Sequence, residues 1–203
     1  MKLAFDEASH SCSIDGRRMI NVTRVLDHFY HTYDKVPRDT LERARQEGTA
    51  VHRAIEYHIR GTLDHCPPWL EPYILAWEKF QFDVGFILES SEQRHYHHLA
   101  DYCGTSDLIG HMELPRIGTR HVLIDLKRSF AGGPAIGLQT AAYSAAYEIV
   151  DLNREPIFAR FALRLRPDHK PPYELVQFKD ARDRTDWLSM LTTYKRLDKD
   201  GKL

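Results

Sequence analysis

Three charged residues carry the chemistry that this sequence suggests: Asp107, Asp125 and Lys127. The segment His121-Val-Leu-Ile-Asp-Leu-Lys127 is rich in β-branched and apolar residues, so it reads as a strand whose side chains alternate between two faces. Asp125 and Lys127 then share a face with Leu123, while Val122, Ile124 and Leu126 point the other way, into a core. Asp107 opens a second apolar run, Leu108-Ile109-Gly110, and Pro115 and Gly118 between the two runs suit a chain reversal. Paired as an antiparallel hairpin, the runs could set Asp107 opposite Asp125. Two carboxylates at one end of a sheet can hold a hard cation such as Mg²⁺ or Mn²⁺, with the ammonium beside them. Such an ion acidifies water and offsets charge on a phosphoryl oxygen, and the lysine can orient the attacking water or stabilise the charged transition state. A D-x-K triplet alone reads equally well as the solvated face of an amphipathic strand, so its company decides.

The elements that would position these residues follow along the chain. Lys2 to Phe5 and Ser11 to Ile14 read as short strands around the turn signal Asp15-Gly16, and Asn21 to Phe29 as a short helix capped by Asn21 or Thr23. Tyr30 to Asp39 is polar, contains Pro37 and reads as a loop. The arginines and lysine of the first third (Arg17, Arg18, Arg24, Lys35, Arg38, Arg43, Arg45) suit a solvated surface and a phosphate-contacting patch equally. Val51, Ala54, Ile55 and Ile59 form a helical stripe that puts His52 and Glu56 on one side. Gly61 and Pro67-Pro68 close that unit, and Trp69 to Phe82 continues as an aromatic-rich helix. A strand then begins near Phe86 and carries Glu89 and Glu92, either of which could supply a third carboxylate. After a loop at Ala131 to Pro134, Gly137 to Val150 is the strongest helix, with Gln139 and Tyr143 one turn apart. Phe158 to Arg166 and Tyr173 to Phe178 read as a hairpin. Trp187, Leu188, Leu191, Tyr194 and Leu197 mark a final helix.

Composition narrows the class. A chain of 203 residues with 42% hydrophobic content can bury one good core, so residues 1–203 read as a single domain. The 28 basic residues against 29 acidic ones exclude binding of nucleic acid by bulk positive charge, though not through local patches. Cys12, Cys66 and Cys103 are odd in number and widely spaced, which suggests neither a disulfide framework nor a zinc knot and points to a reducing, cytoplasmic setting. The N-terminus lacks a signal-peptide pattern, and no run reaches the roughly 20 apolar residues of a membrane span. His95, His97 and His98 form the densest histidine group and are expected to face solvent.

The order of features is more informative than any one of them. Gly48-Thr-x-x-His52, a carboxylate on a strand, Gly104-Thr-x-Asp107, Asp125-x-Lys127 and Gln139-x-x-x-Tyr143 follow one another in this order. The series resembles the RecB-like branch of the PD-(D/E)xK nuclease superfamily, with its small stand-alone exonucleases, over roughly residues 20 to 197. Ser106 stands where many members have proline, and Arg128 where threonine is frequent. The resemblance implies an α/β, restriction-endonuclease-like core, a central mixed β-sheet flanked by α-helices. It implies His52, Asp107, Asp125 and the Leu126 carbonyl as ligands to one or two Mg²⁺ or Mn²⁺ ions. Glu92, placed better than Glu89, would bind or orient a second metal or water; Lys127 would position the nucleophile, and Gln139 and Tyr143 would support it and contact substrate. It further implies a DNA exonuclease in replication, recombination or repair, with a recombinase or replication protein as a candidate partner. Tyr30 and Tyr33 could stack on unpaired bases, or simply pack. A structure-specific endonuclease or a non-catalytic binding module on the same fold are the alternatives. Iron–sulfur members use four cysteines, three near the C-terminus; with no cysteine after Cys103, no cluster is expected.

Overall fold

The structure is a computed structural model that describes residues 3–6, 11–30, 36–128, 133–151 and 153–202. Lys2, Tyr33, Lys35 and the stretch 131–132 of the expected loop lie outside the described residues. The chain begins with a small antiparallel sheet of β1 (Leu3–Asp6), β2 (Ser11–Ile14) and β3 (Arg17–Arg18). It continues with β4 (Ile20–Asn21), α1 (Val22–Tyr30), α2 (Arg38–Ile59), α3 (Glu71–Val84), β5 (Ile87–His97), β6 (Tyr102–Leu114) and β7 (Gly118–Lys127). The remaining elements are α4 (Pro134–Val150), β8 (Ala159–Leu165), β9 (Tyr173–Phe178) and α5 (Asp183–Lys199).

The main sheet is mixed. β5, β6 and β7 are antiparallel neighbours, β7 and β8 run parallel, β8 and β9 antiparallel, and β4 adds a short parallel pairing to the start of β6. The β6–β7 hairpin has the expected register, from Leu114↔Gly118 down to Leu108↔Ile124. Asp107 and Asp125 are the next step beyond the last paired residues, where the strands part.

Each sheet face has its own core. On one side α2 and α3 supply Val51, Ile55, Trp77 and Phe80 against Leu108, Met112, Ile124, Leu126 and Leu163. On the other, α1, α4 and α5 supply Val22, Leu26, Ala142, Tyr143, Tyr147 and Trp187 against Tyr102, Ile109 and Leu123. Burying a side chain of this size stabilises the fold by about 1.5–3 kcal/mol. The alanines of α4 let that helix lie close on the sheet, and Tyr102 Oη donates to the Ala142 carbonyl at 2.8 Å.

Several expectations change. The helix carrying His52 begins at Arg38, because Pro37 stands at its N-cap and Arg38 to Glu47 are mostly good helix formers. Asn21, rather than Thr23, caps α1: its Oδ1 accepts from the Thr23 amide at 2.9 Å and the Thr23 hydroxyl at 2.7 Å. His95 is buried, not solvent-facing, since it lies under α4 with its Nε2 2.7 Å from Ser106 Oγ. Cys12 and Cys103 form a disulfide across 91 residues, joining the small sheet to β6; a separation that long leaves no spacing signature. Tyr30 packs partly buried against the α1–α4–α5 core, which favours packing over base stacking.

Candidate metal-binding active site

The site forms where the alternation of β6 breaks. Tyr102 and Gly104 face α4, yet Leu108, Met112 and Leu114, also even-numbered, face α2 and α3. The change of face falls at Asp107. Across the ladder, the paired residues of β5 and β6 pass from Gln93↔Ser106 to Ser91↔Leu108, and Glu92, opposite Asp107, takes a left-handed backbone with φ +50°. A non-glycine residue held there costs about 1–3 kcal/mol and is retained only where surrounding contacts fix it. The break turns both carboxylates out of the regular pleat toward α2.

His52, Glu92 and Asp107 come together there. One ligand atom from each lies within 4.8 Å of the others. His52 Nδ1 is 3.9 Å from Asp107 Oδ1 and 4.0 Å from Glu92 Oε1. Asp107 is oriented by the Leu126 amide, which donates to its Oδ2 at 2.6 Å. In a strand the N–H and C=O of one residue lie on the same edge, so the Leu126 carbonyl also faces this side. Glu89 is elsewhere, 3.1 Å from His121 Nε2 and accepting from Tyr147 Oη at 3.1 Å.

Asp125 is not among these three. It is 1% exposed, which removes the reading of Asp125 as a solvated strand residue, and its Oδ2 lies 2.8 Å from Lys127 Nζ. The two groups remain electrostatically in touch: burial raises the Asp125 carboxyl to about 6 against the pull of Lys127, with Asp107 pushing it further and His52 opposing. Burial also lifts Glu92 to about 8, helped by Asp107 and Glu56 and opposed by Arg60 and Arg94. Both shifts reflect carboxyl groups crowded together in a buried setting that disfavours their charged forms.

Tyr143 backs the site. Its ring lies against Gly104, where a Cβ would come within 2.3 Å of Cε1, so the glycine of Gly-Thr-x-Asp is required by packing. Gln139 Nε2 donates to Tyr143 Oη at 3.0 Å, and burial, then Asp125, raise the phenol far above its usual range. Tyr143 is 3% exposed, so it acts on the site by positioning, while half-buried Gln139 is the nearer of the two to solvent. Glu56, one turn beyond His52 and paired with Arg60 at 2.7 Å, is a fourth acidic neighbour whose only sequence signal is its spacing from His52. Ser106, where proline was expected, is occupied as the partner of buried His95.

The donor set suits a hard cation: carboxylate oxygens, a carbonyl and one imidazole. In an octahedral site at about 2.1 Å, opposite ligands are about 4.2 Å apart and adjacent ones about 3.0 Å; with Glu92 and Asp107 opposite, His52 would have to close by about 1 Å on each from its present 4.0 and 3.9 Å.

A mixed sheet with helices on both faces and its acidic residues where the central strands part is a restriction-endonuclease-like α/β fold. In keeping with that class, the chain is similar to a solved structure from Eubacterium rectale described as a "putative exonuclease", with a TM-score of 0.55 and 13% identity over 91% of this chain and 82% of that one. At that identity the likeness is one of fold. No protein-family model matches the sequence, and no curated protein matches it.

Proposed function

We propose that the protein is a Mg²⁺- or Mn²⁺-dependent deoxyribonuclease that hydrolyses phosphodiester bonds at DNA ends. The observation that carries the reading is the approach of His52, Glu92 and Asp107 to within 4.8 Å beside the Asp125–Lys127 pair. The fold shared with the Eubacterium rectale protein supports it, as does the order of motif pieces along the chain.

In this reading His52 Nδ1, Glu92, Asp107, Asp125 and the Leu126 carbonyl would hold one or two cations. When bound, the cation supplies a water acidified from about 15.7 towards 7 and neutralises charge on the phosphate. The chain's own groups do the rest. The Leu126 amide keeps one Asp107 oxygen engaged and leaves the other directed at His52. Asp125 holds the Lys127 ammonium at the strand end, where its charge would orient the nucleophile or offset charge developing on a phosphate oxygen. The Tyr143 ring and Gln139 fix the sheet beneath them. His52 must be neutral to ligate, so activity should fall in acid.

The test is digestion of end-labelled linear DNA alongside a covalently closed circle, with Mg²⁺, Mn²⁺, Ca²⁺ or EDTA. The expected result is cleavage of the linear substrate with Mg²⁺ or Mn²⁺, none with EDTA, and an intact circle. Cutting of the circle contradicts the end requirement. Binding without cleavage under any metal contradicts the enzyme.

A further inference from the structure

The Asp125–Lys127 strand leads directly into a second feature. Arg128, the next residue, lines an open recess of about 400 Å³ between α2, α3 and the β8–β9 connection. Trp69, Pro72 and Tyr73 form one wall and Pro167 faces them. Trp69 is 49% exposed, whereas Trp77 and Trp187, the other tryptophans of the chain, are fully buried. A large aromatic surface left open inside a concavity, with few polar groups around it, is the form of a ligand pocket.

The polar groups define the ligand. Arg128 pairs with Glu47, whose other oxygen is 3.2 Å from Arg43 Nε, so one carboxylate is shared by two guanidiniums and the charges come to balance only with Asp168 in the lining. Asp168 adds a further carboxylate at the rim. A phosphate would meet two acids here, but an uncharged planar group would meet an aromatic face, a guanidinium and carboxylate acceptors. A nucleobase has a π-face to stack and ring N–H or amino groups to donate.

Position supplies the rest. Glu47 precedes His52 by five residues on α2, about 7.5 Å of helix rise, or about two stacked nucleotides at 3.4 Å each. Continuity with the acidic cluster therefore decides against an unrelated peptide. We propose that the recess is a subsite for an unpaired nucleobase of single-stranded nucleic acid, held beside Trp69 and next to the bond to be cut. This rests on the nuclease reading and adds strandedness to it.

Because Trp69 is the exposed tryptophan, intrinsic emission reports on it. Titration of the full chain in EDTA with an oligo(dT) of about ten residues should quench the emission saturably, and a blunt-ended hairpin duplex should not. In anisotropy measurements with labelled oligo(dT), Trp69→Ala should weaken binding by about 5- to 150-fold, the loss of one stacked base. Trp69→Phe should retain most of the affinity while losing the signal. Emission unchanged at saturating oligo(dT), or wild-type binding by folded Trp69→Ala, overturns the subsite. Mg²⁺-dependent cleavage of the same oligonucleotide by wild type, run in parallel, separates the two ideas. Cleavage together with unaltered Trp69→Ala binding refutes only the subsite, and absent cleavage refutes the nuclease reading.

Discussion

Replacing Glu92 by glutamine should change the number of protons released when a divalent cation binds. Burial, Asp107 and Glu56 lift the Glu92 carboxyl to about 8, so at pH 7 about nine-tenths of it is protonated. A coordinated carboxylate must be ionised, and binding therefore expels that proton. The Glu92 side chain is 37% exposed, and water screens part of the effect. The structure thus sets the Glu92 contribution at up to about nine-tenths of a proton per ion at pH 7. The sign follows: a carboxyl raised in the metal-free protein makes affinity rise with pH, by up to about tenfold per unit between pH 6 and 8, and level off above. Calorimetric titration with Mn²⁺ in two buffers of contrasting ionisation enthalpy counts the protons. The wild type minus Glu92→Gln difference isolates Glu92 from His52 and Asp125. If both proteins release the same number at pH 7, Glu92 is not part of the cation site and the reasoning from its environment fails.

Other perturbations probe the support of the site. Gly104→Ala drives a methyl to 2.3 Å from Tyr143 Cε1 and 3.3 Å from Val22 Cγ2; overpacking of this kind costs about 1–3 kcal/mol, so thermal melting should fall by several degrees and cleavage should drop with it. Lys127→Met should lower turnover by at least about 100-fold, as measured under saturating DNA. It also leaves the buried Asp125 charge without its partner, so the melting temperature relative to wild type should fall most at pH 8 and recover toward pH 5, where Asp125, already raised to about 6, folds protonated. His95 is held neutral, its value lowered to about 4 by burial and by Arg154. The unfolded chain binds that proton from about pH 6.5 downward and the folded one only near 4, so stability should decline through this window by about 3 kcal/mol. His95→Gln should flatten the decline in denaturant titrations.

The regular parts of this fold were legible because they follow simple periods. Alternation in His121 to Lys127 and the Pro115–Gly118 turn gave the hairpin register, and the alanine and aromatic pattern of Gly137 to Val150 gave α4. Motif order singled out His52, Glu92, Asp107, Asp125 and Lys127; His52, Glu92 and Asp107 come within 4.8 Å of one another, and Asp125 pairs with Lys127. Other features depended on distant partners. His95 reads as polar until Ser106 and the underside of α4 enclose it. Cys12 and Cys103 read as isolated until two sheets meet. Arg38 and Asp39 read as loop because Pro37 resembles a break, although a proline there leaves the following turn free to be helical.

The feature least accessible to pattern reading is also the one on which the chemistry depends. Asp125 belongs to the face of β7 that carries Leu123 and looks toward α4, whereas His52 hangs from α2 on the opposite face. No regular strand residue can serve both sides, because a fixed period of two commits each side chain to one face. Asp107 serves both because Ser106 faces α4 and Leu108 faces α2, leaving the residue between them at the change of phase, with Glu92 at φ +50° across from it. From there Asp107 meets His52 at 3.9 Å while its charge is felt by Asp125. The irregularity costs pairing energy within the sheet. In return, the two faces share one acidic centre at the open strand ends, where the hydrophobic cores do not have to be breached.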